Sequence, residues 1–155
     1  MDFYNSKKYT IEVSREHHIS MEMSQIDVLL PLLFDKTWKL IESNEATGPF
    51  ITTDNPVRIM WIDPEHVPLF YRDNPAFGLQ NTRLCFSVSQ NLALVGEFDG
   101  EEKKVSPDED VVATFNTNMM TNCYKQIYTP KVGFKICSKD GSIFNGNQLL
   151  KKLNI

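Results

Sequence analysis

Residues 50–63, FITTDNPVRIMWID, set two threonines, an aspartate and an asparagine between two apolar runs. A carboxylate beside hydroxyls and an amide is a donor set that can hold a divalent ion or orient a hydrolytic water. Asp63, at the far end of VRIMWI, is the nearest second acid, and paired carboxylates do acid–base work only if they converge in space. The competing role for Asp54 is a turn, in which its side chain bonds its own backbone two residues on while Pro56 fixes the next φ. Asp-Asn-Pro recurs at 73–75, among other turn residues. TTDNP is therefore expected to be a structural corner joining two strands.

Other reactive side chains are spaced against catalysis. His17 and His18 are adjacent and cannot converge on one ion from regular structure, and His66 stands alone. No metal site and no cofactor are expected. Phosphate-cradling loops, dinucleotide fingerprints and nucleophile elbows are absent. Cys85, Cys123 and Cys137 form no C-x-x-C pair, and the chain shows no signal peptide, so reduced thiols in a cytoplasmic protein are expected. Cys85 and Cys137 lie in apolar runs and read as small buried hydrophobes. Asn116, Asn118 and Asn122 fall within an expected helix, where asparagine competes for backbone bonds. Asn116 lies beside the apolar stripe, so its amide is expected to clasp buried backbone groups.

The elements that carry these residues follow from periodicity. KKYTIEV alternates Tyr9, Ile11 and Val13 as a half-buried strand does. Met23, Ile26, Leu30, Leu33 and Phe34 share one helical stripe behind Ser20 as cap, which predicts a helix over about 22–35, kinked or broken at Pro31. TWKLIES is expected to be a strand that forms a hairpin with FITT. VRIMWI reads as a further strand. TRLCFSV and NLALVGEF are expected to pair across a turn at 89–91, and FKICSKDGSIF across Asp140-Gly141. In SPDED, Ser106, Pro107 and Glu109 match a capping box, and the stripe Val112, Phe115, Met119, Cys123, Ile127 predicts a helix over 107–128. NQLLKKLNI is a short amphipathic end. This order gives one α+β domain over 1–155, with a mainly antiparallel sheet built from hairpins and two main helices.

The 155 residues carry 16 Lys plus Arg against 20 Asp plus Glu, a net charge of −4, which supplies no field to bring the chain onto nucleic acid. The run VLLPLLF at 28–34 is far short of the ~20 residues that span a bilayer, so no membrane association is expected.

FITTDNPV at 50–57, CFSVSQNLALVG at 85–96 and VATFNTNMMTNCYKQIYTP at 112–130, in this order, resemble the carboxy-terminal half of a bacterial domain-of-unknown-function family, number 4238. Trp38 also fits, and the resemblance covers roughly residues 23–130. It implies that the family's polar positions fall on Thr52, Asp54, Asn55, Asn116 and Tyr128. Thr53 stands where the family has serine and keeps the hydroxyl. SVSQ replaces a Pro-Leu-Ser-Pro-like turn. The family's opening segment, with a His-x-x-Pro-type motif, has no counterpart here: EHHISM has the histidines without the proline. A centre shared between the family's halves would lack one side in this chain.

The function expected is a non-catalytic module that binds a protein partner. The loop 63–82 carries Phe70, Tyr71, Arg72 and Phe77, and aromatic and arginine residues are the types that anchor interfaces. The alternative is a hydrolase or nuclease-like enzyme, or a small-ligand binder, with a polar cleft at Asp54 and Asn55.

Overall fold

The computed structural model describes residues 12–131 and 133–152. Most of the strand expected in KKYTIEV lies outside these residues; Glu12 and Val13, the described part, are not in a strand. The first element is helix α1, Arg15–Phe34. It begins earlier than the predicted residue 22, because Ser14 rather than Ser20 is the cap: its hydroxyl accepts from the amide of His17 at 3.2 Å. His17 and His18 therefore lie in the helix. Pro31 does not break it. The proline sits in the last turn, where only three residues follow, so the missing amide costs one bond near an end that frays anyway.

Strand β1, Thr37–Glu42, follows directly. It does not form a hairpin with FITT. Asn44 Oδ1 accepts from the amides of Ala46 and Thr47, and Gly48 takes φ +88°, so the chain turns sharply. The amides of Phe50 and Ile51 are then drawn to Gln90 O and Asn116 Oδ1, which leaves none for β1. FITT instead supplies β2, Thr52–Thr53, and β3 follows at Val57–Trp61. Two 3-10 turns, Pro64–His66 and Leu69–Tyr71, punctuate the irregular loop. The expected hairpin is present as β4, Thr82–Ser87, and β5, Leu92–Glu97, with Cys85 opposite Val95 and Phe86 opposite Leu94. Strand β6, Lys103–Val105, runs parallel to β1. The main sheet has the order β3-β4-β5-β1-β6 and is antiparallel apart from that last pair.

Helix α2 is Glu109–Thr121, shorter at both ends than predicted. Asp108, not Ser106, caps it, accepting from the amide of Val111 at 3.0 Å, and Pro107 is buried before the cap. At the other end Asn122 stops it, and Ile127–Tyr128 becomes β7, paired with β2. The tail hairpin is β8, Lys135–Cys137, with β9, Ile143–Asn145; Gly141 takes the left-handed φ (+83°) that the Asp-Gly turn requires. Helix α3, Gly146–Lys152, ends the described chain. The protein is thus α+β with a mainly antiparallel sheet.

The sheet's two faces differ. One packs against α2, which also lies against β8, and there Ile41, Cys85, Ala93 and Val95 join Phe50, Val112, Phe115, Met119 and Ile136 in a buried core. The opposite face carries Trp38, Leu40, Ile59, Phe86, Leu92 and Leu94, which are half-buried, and Thr82 and Leu84, which are buried. At its centre Gly96 admits the Trp38 ring, which would stand 2.8 Å from a Cβ at that position.

Candidate functional site

Thr52 opposes Tyr128 and Thr53 opposes Ile127 in the short β2–β7 pair, and the corner 54–56 follows at once. Its local bond is made by Thr53, whose hydroxyl donates to Asn55 O at 2.8 Å and accepts from the Asn55 amide at 3.2 Å. Asp54 does not make the local turn expected of it. Its carboxylate reaches across to the segment after α2, accepting from the amides of Tyr124 at 3.0 Å and Lys125 at 2.8 Å, with the Cys123 thiol at 3.5 Å. The Asp54 amide donates back to Gln126 O. This keeps α2 from continuing: the Asn122 and Cys123 amides close the last turn on Met119 O and Met120 O, and those of Tyr124 and Lys125 are bound to a carboxylate from the other corner. Partial desolvation pushes the Asp54 pKa up, but the bonds from Tyr124, Cys123, Lys125 and Gln126 outweigh it and hold the pKa below the usual value. The same neighbour raises the Cys123 thiol, after desolvation, because thiolate and carboxylate repel.

Two asparagines of the α2 segment complete the joint. Asn116 is fully buried; it accepts from the Ile51 amide and donates to Pro49 O and Lys135 O, each at 3.0 Å. It is the buried clasp expected of it, and both amide hydrogens are used. Asn122 donates to Asn55 O and Val57 O at 2.9 Å and accepts from the Arg58 guanidinium. The polar residues singled out in the sequence thus separate. Thr53, Asp54, Asn55 and Asn116 are occupied with backbone groups, whereas Thr52 and Tyr128 line a shallow cleft of about 310 Å³ with Phe50, Ser87, Gln90 and Pro130. No acid lines that cleft. Asp63 is elsewhere: the five-residue β3 alone sets it more than about 15 Å from Asp54. There it accepts from the Glu65 amide and meets His66 Nδ1 at 2.5 Å, and the His66 bond chiefly holds its pKa below the usual value. Among the described residues no three His, Cys, Asp or Glu side chains converge as a metal-ligand set, and no helix is long and apolar enough to cross a membrane.

The loop residues stand differently. Phe70 and Tyr71 are 83 % and 57 % exposed and meet edge to face at 5.2 Å. They do not fold back over the sheet. Arg72 is tied down: its guanidinium donates to Val67 O and Glu65 O, while its carbonyl accepts from the Trp61 indole. Phe77 is half-buried.

Two features escaped the sequence reading. Glu97, only 5 % exposed, lies between Lys39 Nζ and Arg83 Nε at 2.5 Å each; desolvation opposes its charge, but the two cations prevail and lower its pKa. Residues 39, 83 and 97 are far apart in sequence, so nothing local marks them as a set. The second is α1, which has no buried residue. Its stripe was evident in the spacing; that no other described element packs along it was not.

The fold and its clasped corner define a small α+β protein whose conspicuous polar residues hold backbone in place. The sequence profile of the family described as "Protein of unknown function (DUF4238)" matches residues 2–131, most of the chain, and the protein belongs to that family. The match begins well upstream of residue 23, where the resemblance in the sequence starts. No curated protein and no solved structure matches the chain.

Proposed function

We propose that this chain is a non-catalytic module that binds a protein partner. The observation that carries the reading is α1, a 20-residue helix with Ile19, Met21, Met23, Ile26, Val28, Leu30 and Phe34 between 42 % and 80 % exposed. A helix that is apolar around much of its circumference belongs in a buried setting, and contiguous apolar surface of this extent marks interaction sites. The Phe70–Tyr71 pair adds two exposed aromatic anchors of the kind that dominate interfaces. Against the hydrolase reading, the Asp54 carboxylate already accepts from two backbone amides, and among the described residues it joins no three-residue set of His, Cys, Asp or Glu that could hold a metal ion.

The test is the double variant Met23→Glu, Leu30→Glu. Neither side chain is buried in the folded chain, so the Tm is expected to stay within a degree or two of the parent's. Parent protein in cell extract is expected to elute in size-exclusion chromatography ahead of a free monomer, and the variant to elute at the monomer position. Identical monomeric elution of both would end the reading.

A further inference from the structure

We infer that the partner is a second copy of this chain, with α1 of each copy lying across the half-buried sheet face of the other. The inference rests on the binding-module reading and adds the partner's identity.

The chain offers both halves of one contact. A sheet apolar on both faces is made to be covered on both, yet among the described residues a helix packs against only one, and that helix is α2. On the covered face Ile41, Cys85 and Val95 are 9 %, 5 % and 7 % exposed; across the sheet Thr82 and Leu84 are buried beside the 63–81 loop and the Trp38 ring, while Leu40, Phe86 and Leu94 remain half-buried. The missing layer is a helix, and the chain has a helix without a layer. Helix α1 leaves the domain at a fixed joint: the Asp35 amide bonds Pro31 O, and the Trp38 indole bonds Leu33 O at 3.1 Å. Leu32 touches Gly78, and beyond that end α1 packs along no other described element.

Dimensions agree. Twenty residues make a helix about 30 Å long, and five strands make a sheet about 20–24 Å wide. The seven exposed apolar side chains of α1 carry on the order of 100 Å² each. If half of that meets the opposing sheet, each helix–sheet contact buries about 700–800 Å² over its two sides. Two such contacts, related by a two-fold axis, reach about 1,500 Å², the size of a stable interface.

Analytical ultracentrifugation of the purified protein tests this, with far-UV circular dichroism as the check on folding. The parent is expected to sediment at twice the chain mass. Met23→Glu, Leu30→Glu and, separately, Leu94→Lys are each expected to sediment at the chain mass. Mixed together, the two variants are expected to regain a weaker dimer, since one sound helix still meets one sound sheet face; this rescue also shows that Leu94→Lys is folded. A parent that stays monomeric at tens of micromolar overturns the inference. So does a Leu94→Lys protein that remains fully dimeric, because the helices would then be pairing with each other. A monomeric parent that still forms an α1-dependent complex in extract overturns the second-copy partner and leaves the binding module standing.

Discussion

Asn116 and Asp54 show how differently two polar side chains can be read from sequence. Asn116 beside an apolar stripe, in a helix where asparagine is a poor choice, pointed to a buried amide, and its three bonds to residues 49, 51 and 135 account for the choice. Replacing it with alanine leaves one buried N–H and two buried carbonyls unpaired, at about 1–3 kcal/mol for each such group before relaxation. Asn116→Ala is expected to lose roughly 4 kcal/mol in urea unfolding, a loss reserved for broken buried networks. Asp54 was recognisable as a corner residue, but its partners lie some 70 positions away and no local pattern announces them. Its folded pKa lies below the unfolded value, so its contribution is present above about pH 4, the unfolded range, and is lost as pH falls through the folded value. Asp54→Asn is therefore expected to lower the Tm at pH 7, with the gap to the parent closing as the pH is taken towards 3. A gap independent of pH would mean that the charge contributes nothing.

The hairpins were legible from local signals, whereas both helix starts were assigned to the wrong cap and the end of α2 depends on distant partners. The β4–β5 and β8–β9 hairpins follow from alternation and turn residues a few positions apart. The length of α2 does not: the apolar stripe continues to Ile127, and the helix does not continue because Asp54 and β2 claim the backbone from Tyr124 on. Likewise TWKLIES is a strand, but its neighbours are β5 and β6, chosen by sheet topology rather than proximity in sequence. Gly96 lies within this topology. A methyl group there would stand 2.8–3.0 Å from the Trp38 ring, which cannot withdraw far while its indole bonds Leu33 O. Gly96→Ala is expected to cost roughly 1–3 kcal/mol, an overpacking loss, and to alter tryptophan emission as the ring shifts. An unchanged Tm would show that the ring moves freely.

For the molecule as a whole, composition gave the weak acidity and the order of elements the α+β class, while the helix and sheet face that no other described element covers emerged only from the folded arrangement. Sequence periodicity shows that α1 has an apolar stripe, but whether that stripe meets a neighbour is a property of the finished fold. The same holds for Glu97 between Lys39 and Arg83, an ion cluster gathered from three strand positions. The reach of Asn116 also bears on how the chain is made. Its side-chain partners extend from Pro49 to Lys135, so a ribosome must add 135 − 51 = 84 residues after Ile51 emerges before the clasp can close. At about 5–20 residues per second, that leaves the clasp open for on the order of ten seconds before its last partner exists. During that interval the nascent chain depends on whatever shields exposed strands during translation, and the fold locks late, once the carboxy-terminal hairpin arrives.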